Sequence, residues 1–285
     1  MAERRPDTDA LKARERATWD AAAAGWHKWS PLLSDWLDAA TEELLDLAGV
    51  GPGQRVLDVA AGAGGQTLVA ARRVGPGGRV LATDLSPRIL AYVAEEAARA
   101  GLANVETRVM DAETPDVPAG SFDAALCRLG VMLMPNPAAA LAGMKRAVKP
   151  GGAVAVIVFS TAERNPTNLV AGQVVRRRAG LGPPEPGQPG LFALGEPGLL
   201  ERAYAAAGLH DVRTRVVEAA IRLPSAADYV AFLQDAAGAF HQMLERCTPE
   251  EREAAWAEVG EGLRRFEGPD GFLGPTALVL GVGWA

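Results

Sequence analysis

The segment VLDVAAGAGGQT, Val56–Thr67, decides how this chain is to be read. An apolar run enters a glycine-rich turn and then a helix start. At such a junction the backbone N–H groups of the turn and of the helix N-terminus attract negative charge. Two details set this copy apart. An acid, Asp58, lies inside the strand, and Ala60 stands where a glycine is expected.

Three cofactor classes bind at turns of this type, and the residues separate them. A nucleoside triphosphate needs a lysine followed by serine or threonine after the loop, and Gly65-Gln66-Thr67 has no lysine. A dinucleotide needs G-x-G-x-x-G; Gly62 and Gly64 match, but Thr67 replaces the third glycine. Asp58 weighs further against a pyrophosphate, because a buried acid is costly unless it receives hydrogen bonds. S-adenosylmethionine (SAM), with its ammonium and sulfonium, would supply favourable partners. Asp84 follows Gly64 by roughly 20 residues, where an acid can accept both hydroxyls of a ribose. Nicotinamide enzymes use the same device, so Asp84 alone does not discriminate. Asp111, after the third strand, can accept an adenine amino group. Each acid alone reads equally well as a cap or a solvated turn residue. Their joint placement after successive strands favours SAM.

Around this segment the pattern alternates strand and helix, which predicts an α/β fold with a doubly wound, mostly parallel sheet. Strands are expected at Arg55–Ala60, Arg79–Thr83, Val105–Val109, Phe122–Cys127 and Ala153–Phe159, the last entered through the turn Lys149-Pro150-Gly151-Gly152. Helices are expected at 65–74, at 87–100 with Ser86 as N-cap, and at 137–148 with Asn136 as cap. Two helices, 9–24 and 31–47, precede them. Beyond Phe159 a proline- and glycine-rich loop covers 180–198, Val212–Ile221 reads as a strand and 226–266 as broken helix. Thr276–Trp284 reads as a closing strand. The domain reading is an N-terminal helical lid over 1–50 and a cofactor core over 51–160. The remainder, 161–285, carries helical cap insertions at about 161–200 and 224–268.

Composition limits the partners. A net charge of −6 with no basic cluster denser than Arg176–Arg178 argues against a nucleic-acid-binding role. Two cysteines, Cys127 and Cys247, form neither a disulfide framework nor a metal-ligand set, so no metal is expected and a reducing cytoplasmic setting fits. The N-terminus lacks the apolar core of a secretion signal, and Ala153–Phe159 is too short to span a bilayer. The partner expected is a small molecule, with the chain a monomer or homodimer.

Taken together and in order, VLDVAAGAGGQT, ATDLS, VMDAE, SFDAALCRLGVMLMPNP and AVKPGG resemble the class I SAM-dependent methyltransferases, in particular the branch with the quinone-biosynthesis C-methyltransferases. The resemblance covers about residues 50–160. It implies a Rossmann-like seven-stranded sheet with an antiparallel final strand, SAM as cofactor and S-adenosylhomocysteine (SAH) as product. It also implies roles: Asp58, Ala60, Gly62 and Gly64 at the methionine end of SAM, and Asp84 with Leu85 at the ribose and adenine face. Asp111 and Ala112 would meet the adenine edge, with Arg128 and Leu129 beside the cofactor. Ala60 departs from the usual glycine, and its methyl is tolerable if φ is negative.

Other residues carry two readings. Trp19 and Trp26, on one helical face, either pack on the core or form a lid over cofactor and acceptor. Met132 and Met134 are either core or contacts for an apolar acceptor. His241 and His27, in cap segments, are the candidate general bases. The enzymatic reading is methyl transfer to the oxygen, carbon or nitrogen of a largely apolar or aromatic small molecule. The alternatives are a SAM- or SAH-binding protein without transferase activity and a nicotinamide oxidoreductase.

Overall fold

The computed structural model describes residues 8–185 and 187–285; the part of the expected lid over residues 1–7 lies outside them. Helices α1 (Thr8–Lys28) and α2 (Ser30–Leu47) lead into β1 (Arg55–Val59), α3 (Gly65–Val74), β2 (Arg79–Asp84), α4 (Pro87–Arg99) and β3 (Val105–Val109). Then follow β4 (Phe122–Arg128), α5 (Pro137–Ala147), β5 (Val148–Phe159), α6 (Pro166–Arg178), α7 (Leu199–Ala206) and β6 (His210–Glu218). The chain ends with β7 (Ile221–Leu223), α8 (Ala226–Ala236), α9 (Gly238–Met243), α10 (Pro249–Leu263), β8 (Glu267–Gly268), β9 (Gly271–Gly274) and β10 (Ala277–Trp284).

Seven strands form one sheet in the order β3-β2-β1-β4-β5-β10-β6, with β10 antiparallel to both neighbours and the other pairings parallel. The doubly wound fold follows from the sequence pattern. Right-handed crossovers run outward from β1 through α3 and α4, and the opposite way from β4 through α5, so the helices cover both faces. Strands buried this way need apolar residues on both sides, and Val154–Val158 of β5 are wholly buried. Caps set the helix starts: Ser86 Oγ accepts from Ile89 N at 3.1 Å, and Asn136 Oδ1 from Ala139 N at 3.0 Å.

Three expectations need correction. The Lys149–Gly152 segment is no turn before a strand; it belongs to β5, and the pairing with β4 shifts register between Phe122 and Ala124 to absorb it. The single strand expected at 212–221 is two, β6 in the main sheet and β7 in a second, three-stranded sheet of order β7-β9-β8. The rest of that small sheet, β8 and β9, follows the 226–266 segment, which is helical as expected, at positions where no strand was expected. Its strands are two to four residues long, too short to carry a readable alternation. Among the described residues no helix is long and apolar enough to cross a membrane.

Candidate active site

Strands β1 to β4 end on one edge of the sheet, and there the strand order reverses, the position where open α/β sheets bind ligands. Past Val59 the chain turns through Ala60 at φ +54° and Gly62 at φ +56°, and Gly64 at φ +95° precedes α3. The condition under which an alanine sits there without strain, a negative φ, is therefore not met. Ala61 N is tied to Thr83 O at 3.0 Å and Ala60 O is reached by Gln66 Nε2 at 3.4 Å, so the backbone on either side holds the residue left-handed. Such a conformation costs a non-glycine residue about 1 kcal/mol. Gly64 has little room for a side chain, since a Cβ there would come within 3.2 Å of Val93.

Asp58 is fully buried in β1. Thr67 Oγ1 donates to its carboxylate at 2.5 Å and Gln66 Nε2 at 3.0 Å. Burial still outweighs these bonds and pushes the carboxyl up to about 6. The donors that a ligand is expected to supply come instead from the first turn of α3. Thr67, which breaks the dinucleotide glycine pattern, is one of the two.

Asp84 closes β2 and accepts backbone N–H groups from Gly62 at 3.1 Å and Ser86 at 3.0 Å. Burial raises its pKa above the usual carboxylate value. Leu85 beside it is half-buried, as are Asp111 and Ala112 after β3. Asp111 accepts from Glu113 N at 2.9 Å and Thr114 Oγ1 at 3.2 Å, and pairs with the Lys12 ammonium at 2.5 Å. Arg128, the last residue of β4, leaves only 6 % of its side chain exposed. Its Nη1 donates to Thr41 Oγ1 at 2.9 Å and lies 3.7 Å from Asp38 Oδ1. Leu129 then leaves the strand at φ +59°.

These residues fit SAM. Among the described residues, no protein acceptor takes the N–H groups of Gly65, Gln66 or Thr67 at the start of α3. Asp84 spends one backbone bond on each carboxylate oxygen, and an ionised carboxylate has about four acceptor positions in all. The comparisons agree. A model of the methyltransferase domain matches residues 56–152. Nocamycin O-methyltransferase of Saccharothrix syringae is 31% identical over 84% of this chain and 88% of its own length. The chain belongs to the SAM-dependent methyltransferases.

A ubiquinone/menaquinone biosynthesis C-methyltransferase of Cupriavidus taiwanensis is 38% identical over 40% of this methyltransferase; the match spans 46%, about half, of that relative. The YcgJ protein of Bacillus subtilis shares the fold, with a TM-score of 0.58 at 16% identity, over 87% of this chain and 98% of that one.

In this methyltransferase α1 runs along the cofactor edge. Lys12 holds Asp111 and, at 3.0 Å, Glu113. Asp20 accepts from Ser86 Oγ, next to Asp84. On its other side α1 carries the cap: Trp26 Nε1 donates to Ala236 O at 3.0 Å, and Gln242 bonds Thr18. Trp19 and Trp26 are half-buried, with ring centroids 6.0 Å apart. At the end of β5, Phe159 meets Trp36 at 6.0 Å and Phe192 at 6.3 Å between centroids. A bond from Gly190 N to Met132 O at 3.1 Å brings the proline-rich loop over this corner. Met132 is packed in the core at 1 % exposure, while Met134 and Leu129 are half-buried.

The two histidines stand apart from the acids. His27 stacks on Tyr92 with centroids 4.1 Å apart and lies 3.6 Å from Glu96. His241 is exposed, with Nε2 2.5 Å from Gln234 O and its ring 5.7 Å from that of Trp256. None of these partners lies on the glycine turn or at a strand end. Sequence reasoning passed over Gln66, Thr67, Lys12, Asp20 and Thr41. The first two had a signal, because a strand acid needs donors from the turn after it. The others act across long stretches of chain and had none.

Proposed function

We propose that this methyltransferase moves the SAM methyl group to an oxygen of a small, largely apolar, aromatic acceptor bound between the ends of β4 and β5 and the cap. The observation that carries the reading is the aromatic corner of Trp36, Phe159 and Phe192 at the end of β5, tied to the segment after β4 by the bond from Gly190 N to Met132 O. Aromatic faces of this kind favour a flat, poorly hydrated ligand. The oxygen as acceptor atom rests on the likeness to nocamycin O-methyltransferase, which extends over nearly the whole of that protein.

When bound, SAM supplies an electrophilic methyl on a sulfonium. The chain's own part is alignment and exclusion of water, which bring the acceptor oxygen in line at high effective concentration. The glycine turn and Asp84 would hold the cofactor, with Asp111 at its adenine edge. Trp36, Phe159 and Phe192 would hold the acceptor ring, with α1 and its Trp19 and Trp26 closing the edge. Cys127 has no nucleophilic role, since burial pushes its thiol up to about 12. An acceptor hydroxyl acidic enough to ionise unaided, an enol or activated phenol, suits a corner without an imidazole. We place the reaction in the cytoplasm, with the protein a monomer or homodimer, in keeping with two unpaired thiols, Cys127 and Cys247.

The test is transfer of label from methyl-labelled SAM to a panel of enols, phenols, quinols and amines, with the product site read by NMR. Label on oxygen of apolar aromatic members is the expected result. Label on amines alone, or on carbon alone, overturns the oxygen assignment.

A further inference from the structure

We propose that Arg128 is the residue that recognises the carboxylate of the cofactor's amino-acid tail, and that Thr41 and Asp38 of α2 are positioning residues that aim it. The inference rests on the cofactor reading above and names a contact within it.

Three observations converge. The first is where the guanidinium lies. A Cβ built on Gly65, the first residue of α3, would come within 2.4 Å of Arg128 Nη2. The guanidinium therefore sits against the first turn of the helix, where a side chain at residue 65 would have to displace it.

The second is its incomplete set of partners. Only Nη1 is committed, to Thr41 Oγ1 at 2.9 Å and more distantly to Asp38. Among the described residues no acceptor bonds Nη2 or Nε. A guanidinium has five donors and no way to lose its charge. The Nη2 and Nε of Arg128 keep a small accessible surface and are open to a ligand acceptor.

The third is the local charge. Burial pulls the Arg128 pKa down, with Asp38 and Asp58 opposing. Neither acid fully answers the cation: Asp38 has its own pKa raised by burial, and the Asp58 carboxylate is already held by Thr67 and Gln66. The uncapped first turn of α3 adds three further N–H donors and the positive end of the helix dipole on the same side. Guanidinium and helix N-terminus together form a site for a small carboxylate, and SAM and SAH each carry one.

Thr41 is buried at 1 % exposure and its hydroxyl also donates to Leu37 O at 2.9 Å. Its oxygen is thereby turned to accept from Nη1, leaving Nη2 toward Gly65. In this way α2, outside the core motif, sets the direction of a cofactor contact.

The experiment compares SAM with decarboxylated SAM, which keeps the sulfonium and amine and lacks only the carboxylate, by titration calorimetry on the full chain. Wild type is expected to prefer SAM by about 100-fold, the scale of charge-assisted hydrogen bonds to a buried ion. Arg128→Gln should lower the ratio at least about tenfold by weakening SAM alone, leaving what the α3 N-terminus supplies, and Arg128→Lys should restore it in part. Thr41→Val, a milder change, should lower the ratio about fivefold with decarboxylated SAM unaffected. Equal wild-type affinity for the two ligands overturns the proposal without any variant. So does an unchanged ratio in both Arg128→Gln and Thr41→Val. A wild-type chain that binds neither compound overturns the cofactor reading itself, a result distinct from either.

Discussion

The methyl group of Ala60 fills the space that a side chain on Gly130 would need. A Cβ at residue 130 would lie 2.6 Å from Ala60 Cβ and 2.8 Å from Cys127 Sγ. The exits of the neighbouring strands β1 and β4 are thus fitted to each other, a small side chain against none. The replacement of the usual glycine by Ala60 has its counterpart across the sheet.

This pairing predicts coupled stabilities. Gly130→Ala should destabilise the fold by about 2 kcal/mol through overpacking. Adding Ala60→Gly should recover part of the loss, with Cys127 keeping the rest. Ala60→Gly alone should be neutral or stabilising by up to about 1 kcal/mol, since it relieves a left-handed alanine while loosening the unfolded chain. Urea denaturation of the three variants measures the coupling. Strictly additive effects would mean that the two exits do not touch.

Asp58 predicts a pH signature. Its carboxyl titrates at about 6 in the fold, raised from 3.8. The folded state therefore holds this proton more tightly than the unfolded chain. The stability it lends is full below about pH 4 and is lost as pH rises through about 6. A shift of about two units corresponds to about 3 kcal/mol. Asp58→Asn should remove that part of the fall in stability between pH 4 and 7. An unaltered wild-type slope in the variant would count against the buried, raised carboxyl.

Asp84 is expected to matter for binding more than for folding. Asp84→Ala should weaken SAM at least about 100-fold, as two hydroxyl bonds to a charged acceptor are removed. Calorimetry with SAM, beside a melting curve to show that the variant is folded, decides it. Wild-type affinity in a folded Asp84→Ala chain would rule out Asp84 as the ribose ligand.

The aromatic corner should separate the two substrates. Phe192→Ala is expected to raise the acceptor KM about tenfold through lost apolar contact, with SAM affinity within about twofold of wild type. Steady-state kinetics with the best acceptor of the labelled panel tests this. A loss of SAM affinity with acceptor KM unchanged would move the acceptor away from this corner.

Much of the fold was legible because it is written locally. Val154–Val158 read as a strand covered on both faces, and Ser86-Pro87 as a helix start, and both readings hold. Failures fell where a long-range partner overrides a local signal. Pro150-Gly151-Gly152 has turn chemistry, yet residues 148–159 form one strand with a register shift against β4. The break after Glu218 is set by the sheet each half joins, Val217 pairing with Leu278 and Ile221 with Gly274.

The sequence by itself determined the α/β order, the SAM-type turn and the succession Asp58, Asp84, Asp111 at strand ends. Strand periodicity and turn chemistry act over a few residues, and one sequence contains them. The tertiary structure decided the left-handed φ of Ala60, the internal donors of Asp58 and the direction of Arg128. It also placed His27 and His241 away from the strand ends. Each of these depends on contacts between residues distant in the chain, such as Thr41 with Arg128, Lys12 with Asp111 and Trp26 with Ala236. Packing in three dimensions sets those contacts, and no local period encodes them.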